Sequence, residues 1–375
     1  MRVAYIHTGD WPSNSPSITF STYNCLALSK QTSECHFFIK RNFQGKVETI
    51  FREFFDVEKP NNLIIHDTKK PIINSNEIYY QQIYLSLKQL INKGKVDAVI
   101  SRNVSSLPLL IKLKHQYDVR VYYETHDFFS DLSLRDDLNP KRKKRQSLLE
   151  KKFIPHLNGL ICLQETQKKL YKKIFPECDI QVFRTGFLKH EMSDKKRKYI
   201  TYIGSLDKNK GVNILLDALN YCQSQLEVLI IGGKSEAEIN RVINNHPEIK
   251  VTGWINKKMV KQYLKETAIG IVPLRDTFFN RHITSPLKIF DYFGHGIPII
   301  SSDLDTTREL ITENQTGLFF EVENPKHLAT QIDFLINNVD KLRQMEKKIY
   351  KNTGHFTWEK RAKSLLNWLE GVKNE

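Results

Sequence analysis

The 375-residue chain has no apolar run near the ~20 residues that a membrane-spanning helix needs, and its mean hydropathy is −0.45. An integral membrane protein is not expected. Cysteine is scarce: the five residues at 25, 35, 162, 178 and 222 are odd in number and include no close pair. That argues against a disulfide framework and a zinc site, and suits free thiols in a reducing cytosol. With only 16 Gly and 13 Pro, and with 40% hydrophobic and 11% aromatic residues, the chain is neither collagen-like nor low-complexity nor wholly disordered. No fixed-period repeat occurs. The first apolar stretch, Val3 to Ile6, breaks at His7, Thr8, Gly9 and Asp10. It is too short for a signal-peptide core and reads as a first buried strand.

Positive charge is what the chain has in excess. Lys and Arg number 57 against 42 Asp and Glu, a net +15 with a pI near 9.4, so some large face is expected to meet anions. The length is more than twice the ~150 residues of a typical domain, which predicts two domains, each with a core of its own. In the first half, short β-branched or aromatic runs at 2–7, 35–39, 98–101, 120–123, 159–163 and 180–184 alternate with helix-period stretches such as 78–93. The polar segment 187–198 reads as a linker. The pattern restarts with runs at 199–204, 226–232, 249–252, 269–273, 298–302 and 317–320, with helices expected at 212–221 and 285–294 between them. Strand, helix, strand in sequence implies right-handed crossovers and parallel sheets covered on both faces. The expected fold class is α/β, with two doubly wound units whose strand carboxyl ends and helix amino ends bound a ligand cleft.

Four motifs carry chemistry. Gly204-Ser205-Leu206-Asp207-Lys208-Asn209-Lys210-Gly211 follows a strand and opens a helical run, so its backbone can approach an anion, with Lys210 as a mobile charge; an ordinary strand-to-helix turn with a solvated lysine is the competing reading. In the segment 283–298, Ser285 is expected to cap a helix with Pro286 at its first position, leaving the amides of Leu287 and Lys288 aimed outward beside Thr284. A cation at position 288 opposes the helix macrodipole, and an anionic ligand would explain it. Asp291 is suited to a hydroxyl pair such as a ribose diol. The third motif, Tyr123-Glu124-Thr125-His126-Asp127, puts a histidine at a strand's carboxyl end. A histidine bonded to backbone, or a metal ligand, are its alternatives. The fourth, Lys141-Arg142-Lys143-Lys144-Arg145 followed by Leu148, Leu149, Phe153 and Ile154, forms a basic face beside an apolar stripe when helical. It suits an anionic membrane surface or phosphorylated lipid. Nucleic acid is not the expected partner, because no aromatic residue is interleaved before Phe153; a solvated helix face is the plainest reading.

Together, YIGSLDKNKG, LIIGG, VTGW, IGIVPLRD, SPLKIFDYFGHGIPIISSD, Arg308-Glu309-Leu310 and NQTGLFF resemble the donor domain of retaining glycosyltransferases of family 4. The likeness is close over about half the chain and looser elsewhere, through His126-Asp127 and the closing FTWEKRAKSLL. It implies a GT-B fold of two facing Rossmann-like domains, with an acceptor-binding domain at 1–187, a donor-binding domain at 188–355, and a last segment, 356–375, that crosses back to the first domain. It further implies that Lys210 and the turn Ser285 to Lys288 bind the diphosphate of a nucleotide sugar, that Asp291 holds the ribose, that Gly253 and Trp254 lie by the base, and that His126 touches the transferred sugar.

The chain departs from that pattern at three points. Ser205 stands where arginine is usual, leaving a phosphate contact to Arg184, Arg275 or Arg281. Ile283 occupies the place of the first glutamate of a spaced pair. A glycine pair after the first strand is reduced to Gly9 and a polar loop, 11–19.

The expected activity is transfer of a sugar from a nucleotide diphosphate sugar to a glycan or lipid-linked acceptor with retention, in cell-surface polysaccharide or glycolipid synthesis. Lys210, Lys288 and the two helix amino ends would stabilise the leaving diphosphate and His126 would orient the sugar. No carboxylate stands out as a nucleophile, and neither a cofactor nor a metal is expected. The expected location is cytoplasmic, peripheral at the inner face of the cell membrane. A non-catalytic module using the basic face for membrane or nucleic acid, and an epimerase or phosphorylase on the same fold, remain open. An epimerase would need acid and base carboxylates, and a phosphorylase a pyridoxal lysine.

Overall fold

The computed structural model describes residues 1–68, 76–191, 197–207, 210–225 and 227–371. The chain divides into two compact units. Met1–Gly186 joins Trp358–Glu375 in unit 1, and Phe187–Thr357 forms unit 2. The stretch read as a linker therefore opens inside unit 2, where Phe187 is buried; residues 192–196 lie outside the described residues.

Unit 1 is built on strands β1 (Arg2–Trp11), β2 (Glu34–Arg41), β3 (Leu63–Thr68), β4 (Ala98–Ser101), β5 (Arg120–Glu124), β6 (Gly159–Cys162) and β7 (Ile180–Val182). They form one parallel sheet in the order β3-β2-β1-β4-β5-β6-β7. Helices on both faces explain why Val3 to Ile6, Val99 to Ile100 and Leu160 to Cys162 read as unbroken apolar runs. The order reverses between β1 and β4, and the carboxyl ends of strands at such a switch point are where open sheets bind ligands. β1 outruns its expected end by four residues, with its register shifting between Ile6 and Asp10. The last helix, Trp358–Glu370, packs on this unit: Arg120 donates to the Leu369 carbonyl and Trp368 Nε1 donates to Asp179 at 2.8 Å.

Unit 2 repeats the plan with β8 (Tyr199–Ile203), β9 (Glu227–Ile231), β10 (Lys250–Val251), β11 (Thr267–Val272), β12 (Ile299–Ser302) and β13 (Gly317–Phe320), all parallel in the order β10-β9-β8-β11-β12-β13. Its switch point lies between β8 and β11. Both units are thus Rossmann-like α/β domains, as the alternating pattern predicts. In unit 2 the helices Val212–Leu219 and Leu287–Gly294 follow β8 and β11, so both amino ends face the carboxyl edge of the sheet at the switch. Tyr292 fixes the second helix. Its ring lies over Gly270 of β11, where a Cβ would come within 2.5 Å, and its hydroxyl donates to the Thr201 carbonyl at 2.8 Å.

Candidate functional site

Glycine makes the carboxyl end of β8 possible. Gly204 has φ 145° and Gly232 φ 150°, backbone that side chains rarely allow, and a Cβ on Gly232 would lie 1.8 Å from the Gly204 carbonyl oxygen. Gly211, at φ 72°, begins the helix Val212–Leu219, and a Cβ there would meet the Pro273 carbonyl at 1.6 Å. The 204–211 loop is thereby folded onto the end of β11; Lys208 and Asn209 lie outside the described residues.

The helix Leu287–Gly294 starts differently from expectation. Its N-cap is Pro286, extended at ψ 113°, and no side chain caps it. A proline φ near −67° suits an extended cap as well as a first helical residue, so Ser285 falls one position too early to cap. Lys288 in the first turn is buried, with its ammonium 3.8 Å from the centre of the Tyr202 ring. It lies so close to Gly204 that a Cβ there would stand 3.2 Å from Nζ. That nitrogen makes no hydrogen bond among the described residues. Burial first, and the Lys210 charge second, hold it well below the ordinary lysine range. Lys210 is half-buried, and its own pKa is lowered by burial, with Asp207 opposing and Lys234 adding to the shift. Two lysine cations in one field at two helix amino ends are short of negative charge.

Other residues predicted from sequence gather at the same edge. Gly253, at φ 66°, bridges antiparallel to Gly232 and so brings Trp254, half-exposed, beside the loop that abuts Gly204. Asp291 lies three residues along the helix from Lys288, with Lys257 Nζ 3.8 Å from its carboxylate. Thr284 is buried. Tyr202 donates its hydroxyl proton to the Ser205 carbonyl at 2.7 Å. Ile283, in the place of the family's glutamate, is buried. Three arginines are weighed as substitutes for the one that Ser205 replaces. Arg281 is held by Asp276 at 2.6 and 2.5 Å, and Arg184 is in unit 1, donating to Gln164 at 2.5 Å. Among the described residues, the Arg275 side chain has a long ion pair to Glu323, 3.9 Å, and a buried Nε without a hydrogen-bond partner.

In unit 1, His126 follows β5 and is bonded to a carboxylate, not to backbone: its Nε2 lies 2.6 Å from Glu124 Oε1. Glu124 is fully buried and also accepts from the Tyr5 hydroxyl at 3.1 Å and from Arg361 Nη2 at 2.9 Å. Burial would raise its pKa, but Arg361 above all, with His126, brings the carboxyl down to about 2. His126 goes down to about 4, chiefly through burial and then the Arg102 charge. The neighbouring acid, Asp127, is paired with Arg135 at 2.6 Å. Gly9 lies within β1 instead of in a turn beyond it, because β1 continues through the register shift to Trp11. A Cβ there would be 3.0 Å from His7 Nε2, and the buried His7 ring has no hydrogen-bond partner at either nitrogen among the described residues.

The basic motif is the helix Pro140–Phe153, capped by Asn139. Lys141, Arg142, Lys144 and Arg145 are exposed and Lys143 lies 5.3 Å from the Phe129 ring centre. Of the residues expected to form the apolar stripe, Leu149 and Phe153 are partly buried and Ile154, just past the helix, is buried. The buried residues of this helix are Ser147 and Glu150, while Leu148 is 59% exposed. Glu150 accepts from Ser130 Oγ, the Phe129 amide and the Tyr171 hydroxyl at 2.8–2.9 Å, and burial nonetheless pushes it up to about 7. Sequence reasoning gave no role to Arg361, His7 or Glu150, and weighed Glu124 only as part of an alternative metal site with His126 and Asp127. β5 is buried at four consecutive positions, so its pattern carries no signal that singles out Glu124.

Residues 197–338 match the family model described as Glycosyl transferases group 1. The match falls wholly within unit 2 and contains every residue of the lysine cluster. Spore coat protein SA of Bacillus subtilis is 27% identical over 49% of this chain and 51% of its own length. Chitobiosyldiphosphodolichol beta-mannosyltransferase of Candida albicans is 24% identical over 74% of this chain and 70% of its own. The chain spans about half the length of most of the curated relatives it matches. Anabaena HepE, solved in complex with UDP, superposes with a TM-score of 0.73 over 99% of this chain and all of that one, at 13% identity. At that identity the likeness establishes the fold, which is GT-B.

Proposed function

We propose that this protein is a glycosyltransferase that moves a sugar from a nucleotide diphosphate sugar to a glycan or lipid-linked acceptor, with retention at the anomeric carbon, in polysaccharide or glycolipid synthesis. The observation that carries this reading is the buried ammonium of Lys288, without a hydrogen-bond partner among the described residues, beside Lys210 at two helix amino ends. Leaving a buried polar group without a partner is costly, and a diphosphate supplies what the site lacks. Breaking the bond from anomeric carbon to phosphate builds negative charge on the departing diphosphate, so Lys210, Lys288 and the two helix ends act on the leaving group. The Arg275 guanidinium is the candidate for the phosphate interaction that Ser205 cannot make. Asp291 takes the ribose, and Gly253 with Trp254 takes the base. His126 contacts the transferred sugar.

The group 1 family match and the UDP complex of the structural neighbour support a nucleotide sugar as donor. The Candida albicans relative is a β-mannosyltransferase by name, so the anomeric outcome is to be measured on this chain's own product. The test is a melting-temperature panel with UDP, GDP, dTDP, CMP and their sugars. One nucleotide should stabilise the protein as RT ln(1 + [L]/Kd) requires, and Lys288→Ala should abolish the shift. A full panel without any shift would remove the donor site from this reading.

A further inference from the structure

We infer that Glu124 is a positioning residue that fixes His126 as the neutral Nε2–H tautomer, leaving Nδ1 as a hydrogen-bond acceptor for a substrate hydroxyl. This rests on the reading above only in taking the substrate to be a sugar.

The argument begins with Glu124 itself. It sits at the end of β5, fully buried, and its Oε2 is matched by Arg361 from the last helix, whose other nitrogen, Nη1, donates to Asn24 at 2.5 Å. A buried carboxylate so paired is ionised and can only accept hydrogen bonds. The 2.6 Å approach of Oε1 therefore requires a proton on His126 Nε2. The ring has no second proton to place on Nδ1 while it is neutral, and the groups around it oppose protonation. Arg102 beyond β4 and Arg361 on the last helix are cationic, His7 on β1 is held neutral, and Phe20 packs edge-on at 4.6 Å. Among the described residues, Glu124 is the anion whose charge acts on the ring, and that charge is shared with Arg361 and the Tyr5 hydroxyl. Nδ1 has no hydrogen-bond partner among the described residues, and the side chain is 18% exposed.

The chemical consequence is a choice of ligand. An Nδ1 lone pair takes a hydroxyl proton and repels an oxyanion, so His126 recognises a neutral sugar alcohol and contributes nothing to diphosphate binding. The orientation is set from a distant part of the chain: residues 124 and 361 lie 237 positions apart.

The test is histidine-selective 15N NMR of the whole protein without substrate, the His126 signals being assigned by their loss in His126→Asn. A pyridine-type Nδ1 and a pyrrole-type Nε2, kept from pH 8 to pH 6, are expected. An Nδ1–H tautomer or an imidazolium in that range overturns the assignment whether or not the protein transfers sugar. In Glu124→Gln the side-chain amide also offers donors, so a mixture of tautomers is expected. Turnover in a sugar-transfer assay should fall about 10-fold or more while KM for the nucleotide sugar stays within about 2-fold. An unchanged tautomer in a folded Glu124→Gln also counts against the proposal; if that variant does not fold, the wild-type spectrum decides alone.

Discussion

At the scale of single residues, Lys288 combines a functional placement with a structural cost. Its ammonium has a ring below it and no hydrogen-bond acceptor among the described residues, and burial drives it toward neutrality. Lys288→Met keeps the length and apolar body of the side chain and removes the polar end. We expect the ligand-free variant to be more stable than the parent by about 1 kcal/mol or more. It should also lose the stabilisation conferred by a nucleotide diphosphate. Paired thermal melts with and without nucleotide separate the two effects, and a fall in ligand-free stability would show that Nζ has an internal partner after all. Lys210 is less enclosed, so its removal should leave the fold intact. Lys210→Ala is expected to cut turnover by roughly 10²-fold through weaker stabilisation of the leaving group, read as initial rate against the melting curve of the same preparation.

At the scale of elements, the basic helix Pro140–Phe153 presents exposed charge together with Leu148, while Leu149 and Phe153 are partly buried. Any membrane contact it makes would then be electrostatic and sensitive to salt. Replacing Lys141 to Arg145 by glutamine should reduce sedimentation with anionic vesicles at low salt and leave soluble sugar transfer unchanged; identical sedimentation of parent and variant would end that role for the helix. The same helix shows where sequence reasoning stops. Periodicity places the helix, since alternating strands and helices leave few other arrangements, and it locates most strands of both sheets to within a residue or two. It misses β3, Leu63–Thr68, because His66 and Asp67 break the apolar run on a partly exposed strand. Nor does it mark Glu150 as a buried residue of the basic helix, because that burial depends on hydrogen bonds from Tyr171, Ser130 and the Phe129 amide, all outside the helix. The Gly204 loop and Lys288 were legible as chemistry, since strand, glycine turn and helix are consecutive. The enclosure of Lys288 was not, for it depends on Tyr202 and Gly204 arriving from a different strand.

At the scale of the whole molecule, the chain leaves unit 1 at Gly186 and returns to it at Trp358, so its last helix completes a core begun at the amino terminus. Arg361 is the electrostatic part of that completion. Arg361→Ala strands a buried Glu124 carboxylate and should cost about 3–5 kcal/mol of unit 1 stability. The pH dependence follows from the same groups. Glu124, depressed to about 2, adds stability that is present above its ordinary 4.5 and lost as pH falls toward 2. His126, depressed to about 4, makes the folded form bind fewer protons than the unfolded one below pH 6.5, so stability falls between 6.5 and 4. Glu150, raised to about 7, acts in the opposite sense: the folded form holds a proton that the unfolded form releases, and stability rises as pH falls from 7 to 4.5. In the parent these slopes oppose each other between pH 6.5 and 4.5. Glu150→Gln removes the compensating one, so its melting temperature should fall more steeply on acidification across that window. Parallel slopes for parent and variant would mean that Glu150 is ionised in the folded protein at neutral pH, held by Tyr123, Tyr171, Ser130 and the Phe129 amide without any shift from the ordinary carboxylate range.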